Sequence, residues 1–174
     1  MIDRRIGSAL AAAVLAATGL GCASASVKSN KSAEYTKKLE RTLIVFPLDE
    51  RLKHYEPLFQ ERLVGELQKR GVASTFAKLT GNLDLADASP IDKQAKDFNA
   101  STALFIRRAS GVVNASGSVV SARFDAQIFD IASKVRVWRA SIDYNAGGSL
   151  NTDSARADAL IGELVKALVS DGLI

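Results

Sequence analysis

Residues 120–128 alternate without a break. Val120, Ala122, Phe124, Ala126 and Ile128 are apolar, and Ser121, Arg123, Asp125 and Gln127 between them are polar. A period of two sends successive side chains to opposite faces of an extended chain, so this run predicts a strand with one buried and one wet face. Asp130 to Ser133 then makes a turn. Residues 135–144 return as the partner strand, with Trp138, Ala140, Ile142 and Tyr144 on one face. A hairpin with a single apolar face needs another layer laid over it.

The rest of the chain supplies that layer. Thr42 to Leu48 is a short, continuous apolar run, as expected of a strand buried on both faces. A helix is predicted over Tyr55–Arg70, where Tyr55, Phe59, Leu63 and Leu67 form one stripe widened by Val64. Pro57 suits its first turn, and Gly71 its end. Val72 to Leu79 reads as a strand and Thr80 to Ala88 as a loop. Ser89-Pro90-Ile91-Asp92 opens a short helix that ends near Asn99, with Ile91, Ala95 and Phe98 toward the core. Thr102 to Ile106 is a further strand, and Asn114 to Gly117 a turn. Asn145 to Gly148 breaks the last strand. A final helix over Ser154–Ser170, capped by Asn151, Thr152 or Asp153, turns Leu160, Ile161, Leu164, Val165 and Leu168 inward. Asp171-Gly172 stops it. The predicted order is β-α-β-α-β-β-β-α. It describes a single α+β domain over residues 39–174, with a mixed sheet of about five strands and three helices.

Residues 1–21 have a different character. Arg4 and Arg5 supply a positive start, and Ile6 to Leu20 is almost wholly apolar or small. That stretch is about 15 residues, short of the ~20 a membrane-spanning helix needs, and its flanks fit an export signal. It ends at Gly19-Leu20-Gly21-Cys22, which resembles the lipobox of bacterial lipoproteins. The pattern departs from the family in one place: Gly19 stands where Leu is preferred, and Leu20 follows it. The resemblance implies that Cys22 carries a diacylglycerol and a further fatty acyl chain such as palmitate. Because Ala23 rather than Asp follows Cys22, it also implies sorting to the outer membrane, with the domain facing the periplasm. A plain signal peptide cut after Ala23 or Ala25, or an uncleaved anchor, are the alternatives. Cys22 is the sole cysteine, so no internal disulfide can form, and lipidation removes a thiol awkward in an oxidising compartment. Residues 22–38, rich in Ser and Lys and without apolar periodicity, are expected to form a flexible tether.

Catalytic chemistry finds little footing. His54 is the only histidine, near Asp49, Glu50 and Glu56. One imidazole and a few loop carboxylates make a poor ligand set, and the expectation is a solvated loop with no metal and no cofactor. No Gly-x-Ser-x-Gly elbow occurs, and a serine triad would have to use His54. Gly111 to Gly117 lacks phosphate-loop spacing. The net charge of +4 is spread, with acidic residues interleaved, which argues against nucleic-acid binding. Arg107, Arg108, Arg123, Arg136 and Arg139 fall in the strand region. They form either a stripe for an anionic partner or, for Arg123 with Asp125, a cross-strand ion pair.

Several phrases point to a family. Leu43-Ile44-Val45-Phe46-Pro47-Leu48, the helix end Gly-Glu-Leu-Gln-Lys-Arg-Gly over 65–71, Phe124-Asp125-Ala126-Gln127-Ile128-Phe129-Asp130 and Val137-Trp138-Arg139-Ala140 resemble small periplasmic lipoprotein domains. This group includes the amino-terminal domain of TolB, the lipoprotein activators of penicillin-binding proteins and the curli secretion lipoprotein, all of anticodon-binding-like topology. The resemblance spans residues 40–174. It implies a binding or assembly role in the cell envelope, with another envelope protein as partner, and offers no catalytic residue to carry over. A periplasmic small-ligand or lipid binding protein is the alternative, and a hydrolase a more distant one. The sequence sets no oligomeric state.

Overall fold

The computed structural model describes residues 23–47, 53–79, 89–115, 119–147 and 152–174. Six strands form one mixed sheet: β1 (Ser24–Lys31), β2 (Arg41–Val45), β3 (Ala73–Phe76), β4 (Thr102–Val113), β5 (Val119–Asp130) and β6 (Val135–Asn145). Their spatial order is β1-β6-β5-β4-β2-β3. β2 runs parallel to both β3 and β4, and the other neighbours are antiparallel. Three helices complete the domain: α1 (Glu56–Gln68), α2 (Ser89–Asp97) and α3 (Asp153–Ser170). A single 3-10 turn, Lys53–Tyr55, leads into α1.

The alternation of β5 has the expected result from Ala122 onward, while Val120, expected on the same buried face, is exposed beside the register shift at Val112 and Val113. Ala122, Phe124, Ala126 and Ile128 lie opposite Tyr144, Ile142, Ala140 and Trp138 of β6, and all eight are buried beneath α1 and α3. Phe59, Leu63 and Leu67 of α1 and Leu160, Ile161, Leu164, Val165 and Leu168 of α3 fill the space above them. β2 is buried on both faces, as its continuous apolar run requires. Ile44 points into this main core, while Leu43 and Val45 point to the other side. There they meet Ala77 and Ala95, and so α2, in a second and smaller core.

All three helices end in the same way. The N–H of Gly71 donates to Gln68 and that of Val72 to Leu67, that of Asn99 to Lys96 and that of Ala100 to Ala95, that of Gly172 to Val169 and that of Leu173 to Leu168. This is the Schellman pattern, which closes orphan carbonyls by putting one residue in the left-handed region. Gly71 and Gly172 take that conformation freely, and Asn99 takes it at φ 52°. At the start of α3, Thr152 accepts from the N–H of Ala155 at 3.2 Å.

The expected flexible tether over residues 22–38 is corrected in its described part. Residues 24–31 are β1, paired along their whole length with β6 from Ser24↔Asn145 to Lys31↔Trp138. Tyr35 is 9% exposed and sits in the main core. The N–H of Leu39 donates to the carbonyl of Leu173 at 2.8 Å. Without β1, β6 would be an open edge with a row of unpaired N–H and C=O groups above a hydrophobic layer. Satisfying that edge requires backbone far more than side chains, so Ser, Asn and Lys serve. The sheet therefore has six strands, with the extra one at the amino-terminal end.

Smaller differences follow from packing. β4 is 12 residues long and continues past Ile106, because β5 is there to pair with it. Phe98, expected toward the core, is half-buried and belongs to neither core: the Arg41 guanidinium stacks 4.6 Å from its ring and donates to its carbonyl from Nη2 at 2.7 Å. The 80–88 loop lies outside the described residues, as do residues 148–151.

Candidate functional site

Two faces of the sheet have different fates. The face bearing α1 and α3 is filled. On the other face α2 covers only the β2–β3 side, and among the described residues no helix covers β5, β6 and β1 there. Phe105 and Phe129 meet edge to face at 5.6 Å where that cover ends. Beyond them lies the wet side of the alternating strands. Arg107 Nη2 donates to Asp125 Oδ2 at 3.2 Å, and Arg123 Nε donates to Asp143 Oδ1 at 2.7 Å. Both are pairs of residues directly opposite each other on adjacent strands.

The five arginines singled out in the sequence thus divide. Arg107 and Arg123 are in cross-strand ion pairs, with Arg123 reaching Asp143 rather than its near neighbour Asp125. The hydrogen bond from Arg123 holds the Asp143 carboxyl below its ordinary pKa. Arg139 lies opposite Gln127 and Asn30 on the open face, and Arg136 opposite Phe129. Lys28, Ser29, Asn30, Asp125, Gln127, Arg136, Arg139 and Ser141 surround a shallow depression there. Arg108 is registered with Phe124, on the helix side.

Arg108 borders the other feature of interest, an apolar cavity of about 80 Å³ at the end of the helix layer. Phe46, Tyr55, Phe59, Val119, Phe124 and Tyr144 contribute to its wall. Phe46 and Phe59 are in ring contact at 4.6 Å, and Phe46 and Phe124 at 6.3 Å. Arg156 of α3 also lines it: Nη1 lies 3.5 Å from the Tyr55 hydroxyl and 3.5 Å from Asp153, and its buried Nε has no partner among the described residues. Burial pushes the Tyr144 hydroxyl up to a pKa of about 12.

The remaining sequence candidates do not assemble into a reaction centre that the structure describes. Cys22, Asp49 and Glu50 lie outside the described residues, and so does the His54 side chain. Glu56 accepts from Gln60 one turn along α1 at 2.9 Å. Among the described residues no three His, Cys, Asp or Glu side chains come together as a metal site would need. No described helix is long and apolar enough to cross a membrane.

The register of the sheet brings one unsought relationship. Ser24 of β1, Asn145 of β6, Ser121 of β5 and Val112 of β4 stand in one row across four strands. The amino-terminal segment therefore enters the domain at the end where the β4–β5 hairpin leaves it. Nothing in the sequence reading linked these parts, because the link runs through β1, a strand with little apolar signal.

No protein-family model matches the chain, and no curated protein matches it in sequence. Solved structures do match in fold. The chain is similar to the PelC dodecamer from Paraburkholderia phytofirmans, in a single-substitution variant at 16% identity and TM-score 0.56, over 83% of this chain and 95% of that one. A second crystal form of PelC gives 15% identity and TM-score 0.54, over 83% and 94%. Lipoprotein GNA1162 from Neisseria meningitidis is similar at 17% identity and TM-score 0.45, over 75% and 96%. The α+β fold of this chain is thus similar to that of PelC.

Proposed function

We propose that this chain is a lipid-anchored lipoprotein of the bacterial envelope, held to the outer membrane through Cys22, whose domain acts as a non-catalytic binding or assembly component. The observation that carries the reading is the asymmetry of the sheet. One face is closed by α1 and α3, while among the described residues the opposite side of β5, β6 and β1 is left open and lined with ion pairs and further charge. A polar face of this kind, with Arg136 and Arg139 at its margin, suits a protein partner, where complementary charge sets register and orientation. The resemblance of its element order and several phrases to the TolB amino-terminal and penicillin-binding-protein activator group supports the same role. The PelC structures are dodecamers, so further copies of this chain are the first partner to look for.

Small-ligand binding is the second reading, and the aromatic cavity with Arg108 and Arg156 at its rim favours it. Its volume of about 80 Å³ is below the ~300 Å³ at which ordinary ligand pockets begin. Surface docking is the better supported of the two.

The test is site-specific photo-crosslinking in intact cells. A photoreactive residue replaces Gln127 on the open face or Lys166 on the exposed side of α3, in the native chain and in Cys22→Ser. The expected result is one discrete adduct from position 127, lost in the serine variant, and an acylated amino-terminal peptide by mass spectrometry. An adduct at twice the chain's mass identifies a second copy. No adduct from position 127, or equal capture from both positions, overturns the docking role. An unmodified Cys22 overturns the anchor.

A further inference from the structure

We propose that Val112, Val113 and Val120, at the described end of the β4–β5 hairpin, lie in the head-group layer of the membrane, as a second, apolar contact beside the amino-terminal anchor. The proposal rests on the reading above that residues preceding β1 are held at a bilayer. Three observations carry it.

The first is exposure. Val112 is 59% exposed, Val113 41% and Val120 39%. These are β-branched residues in a strand pair, and no described element covers them. Branched aliphatic side chains grouped at a tip mark a contact surface more often than scattered ones do.

The second is length. β1 begins and β6 ends in the row that contains Ser121 and Val112; among the described strands only β4 and β5 pair past it, through Val113 and Val119, while the N–H of Ala146 just after β6 donates to the Val120 carbonyl at 2.9 Å. Register shifts between Arg108 and Ser110, and between Val112 and Val113, bend this extension. The described hairpin therefore extends one residue pair past the row at this end of the sheet.

The third is the position of the amino-terminal segment. Cys22 precedes Ser24 by two residues, which span at most about 7 Å of extended chain. Since β1 is a strand rather than a tether, that short span is the whole of the slack. A bilayer that holds Cys22 must lie close to the Ser24 row, and one that holds the apolar stretch ending at Leu20 lies within about 14 Å of extended chain from it. The hairpin projects past the same row at ~3.3 Å per residue. Both features thus reach the same plane, and the valines meet the head-group region. The acyl chains on Cys22 hold the chain at the surface, and a second membrane contact fixes how the domain stands on it.

The experiment is thiol labelling of the full chain reconstituted in vesicles of phosphatidylethanolamine and phosphatidylglycerol. Val113→Cys is compared with Val135→Cys, an exposed valine at the opposite end of the sheet. Acylation consumes the Cys22 thiol, so the introduced cysteine is the reactive one. A membrane-impermeant maleimide is expected to label position 113 about fivefold or more slowly than position 135 in vesicles, since the bilayer covers only the first. In the Cys22→Ser background, free in buffer, the two positions should label at similar rates. Equal rates in vesicles overturn the proposal. So does slow labelling of position 113 in buffer that deepens with protein concentration, which assigns the tip to a second copy. The acyl mass on Cys22 is read separately from the same vesicles. Failure of the lipoprotein reading therefore shows as a missing acyl group, whatever the labelling rates are.

Discussion

The indole Nε1 of Trp138 donates to Asp171 Oδ2 at 2.6 Å, tying the middle of β6 to the carboxy-terminal end of α3. Trp138 is buried, so its N–H has few other places to go. A carboxylate at the carboxy-terminal end of a helix is opposed by the helix dipole. The indole bond offsets that cost. Asp171→Ala is expected to destabilise the domain by about 1–3 kcal/mol, the cost of leaving a buried donor unpaired. Asp171→Asn keeps an acceptor and sheds the unfavourable charge, so it should cost less. Urea unfolding followed by the fluorescence of Trp138, the sole tryptophan, measures both. Equal losses in the two variants would show that the charge rather than the acceptor matters.

A buried hydroxyl pair joins the parallel strands. Thr42 Oγ1 and Thr102 Oγ1 lie 2.8 Å apart, at residues that face each other across β2 and β4. Thr42→Val leaves one hydroxyl buried alone and is expected to cost about 1–3 kcal/mol. Replacing both with Val removes donor and acceptor together and should recover most of the loss. Denaturation of the two single variants and the double variant forms a mutant cycle. A double variant as unstable as the sum of the singles would contradict this account.

Asn99 ends α2 in a left-handed conformation that costs it more than it would cost glycine. Asn99→Gly is expected to be neutral or stabilising by up to about 0.5–1 kcal/mol, and Asn99→Val destabilising. Thermal unfolding ranks them. The opposite order would mean that the Asn99 side chain has a role beyond the turn.

Alkaline stability should depend on Tyr144. Its hydroxyl is raised by burial from 10.0 to about 12. Below pH 10 it is protonated in both folded and unfolded chains and has no effect on the balance. Between about 10 and 12 the unfolded chain loses the proton first, so stability falls across that window. Tyr35 is shifted in the same direction, mainly by burial. Tyr144→Phe should remove part of the alkaline loss and leave the profile below pH 10 parallel to that of the native chain. Stability measured by urea unfolding from pH 8 upward tests this, and an unchanged alkaline limb would rule out Tyr144 as its source.

Much of this protein is written locally in its sequence. The alternation from Val120 to Ile128 specifies a half-buried strand, because a period of two leaves no other way to hide Phe124 and Ile128 together. The Phe59, Leu63 and Leu67 stripe specifies α1, and Gly71, Asn99 and Gly172 mark the helix ends through backbone conformation alone. The continuous run Leu43-Ile44-Val45 tells of a strand covered on both sides. Those signals depend on near neighbours in the chain, and so they can be read without a fold. Tertiary structure decided the rest. β1 exists because β6 offers an unpaired edge, and backbone pairing is nearly indifferent to whether Ser, Asn or Lys supplies it. Tyr35 became a core residue only once that strand had carried it to the sheet. The partners of Arg107 and Arg123 depend on strand register, which brings Asp125 and Asp143 opposite them. The row shared by Ser24 at the start of β1 and Val112 of β4 also follows from register. It joins residues far apart in the chain through four strands, and no local pattern records such a distance.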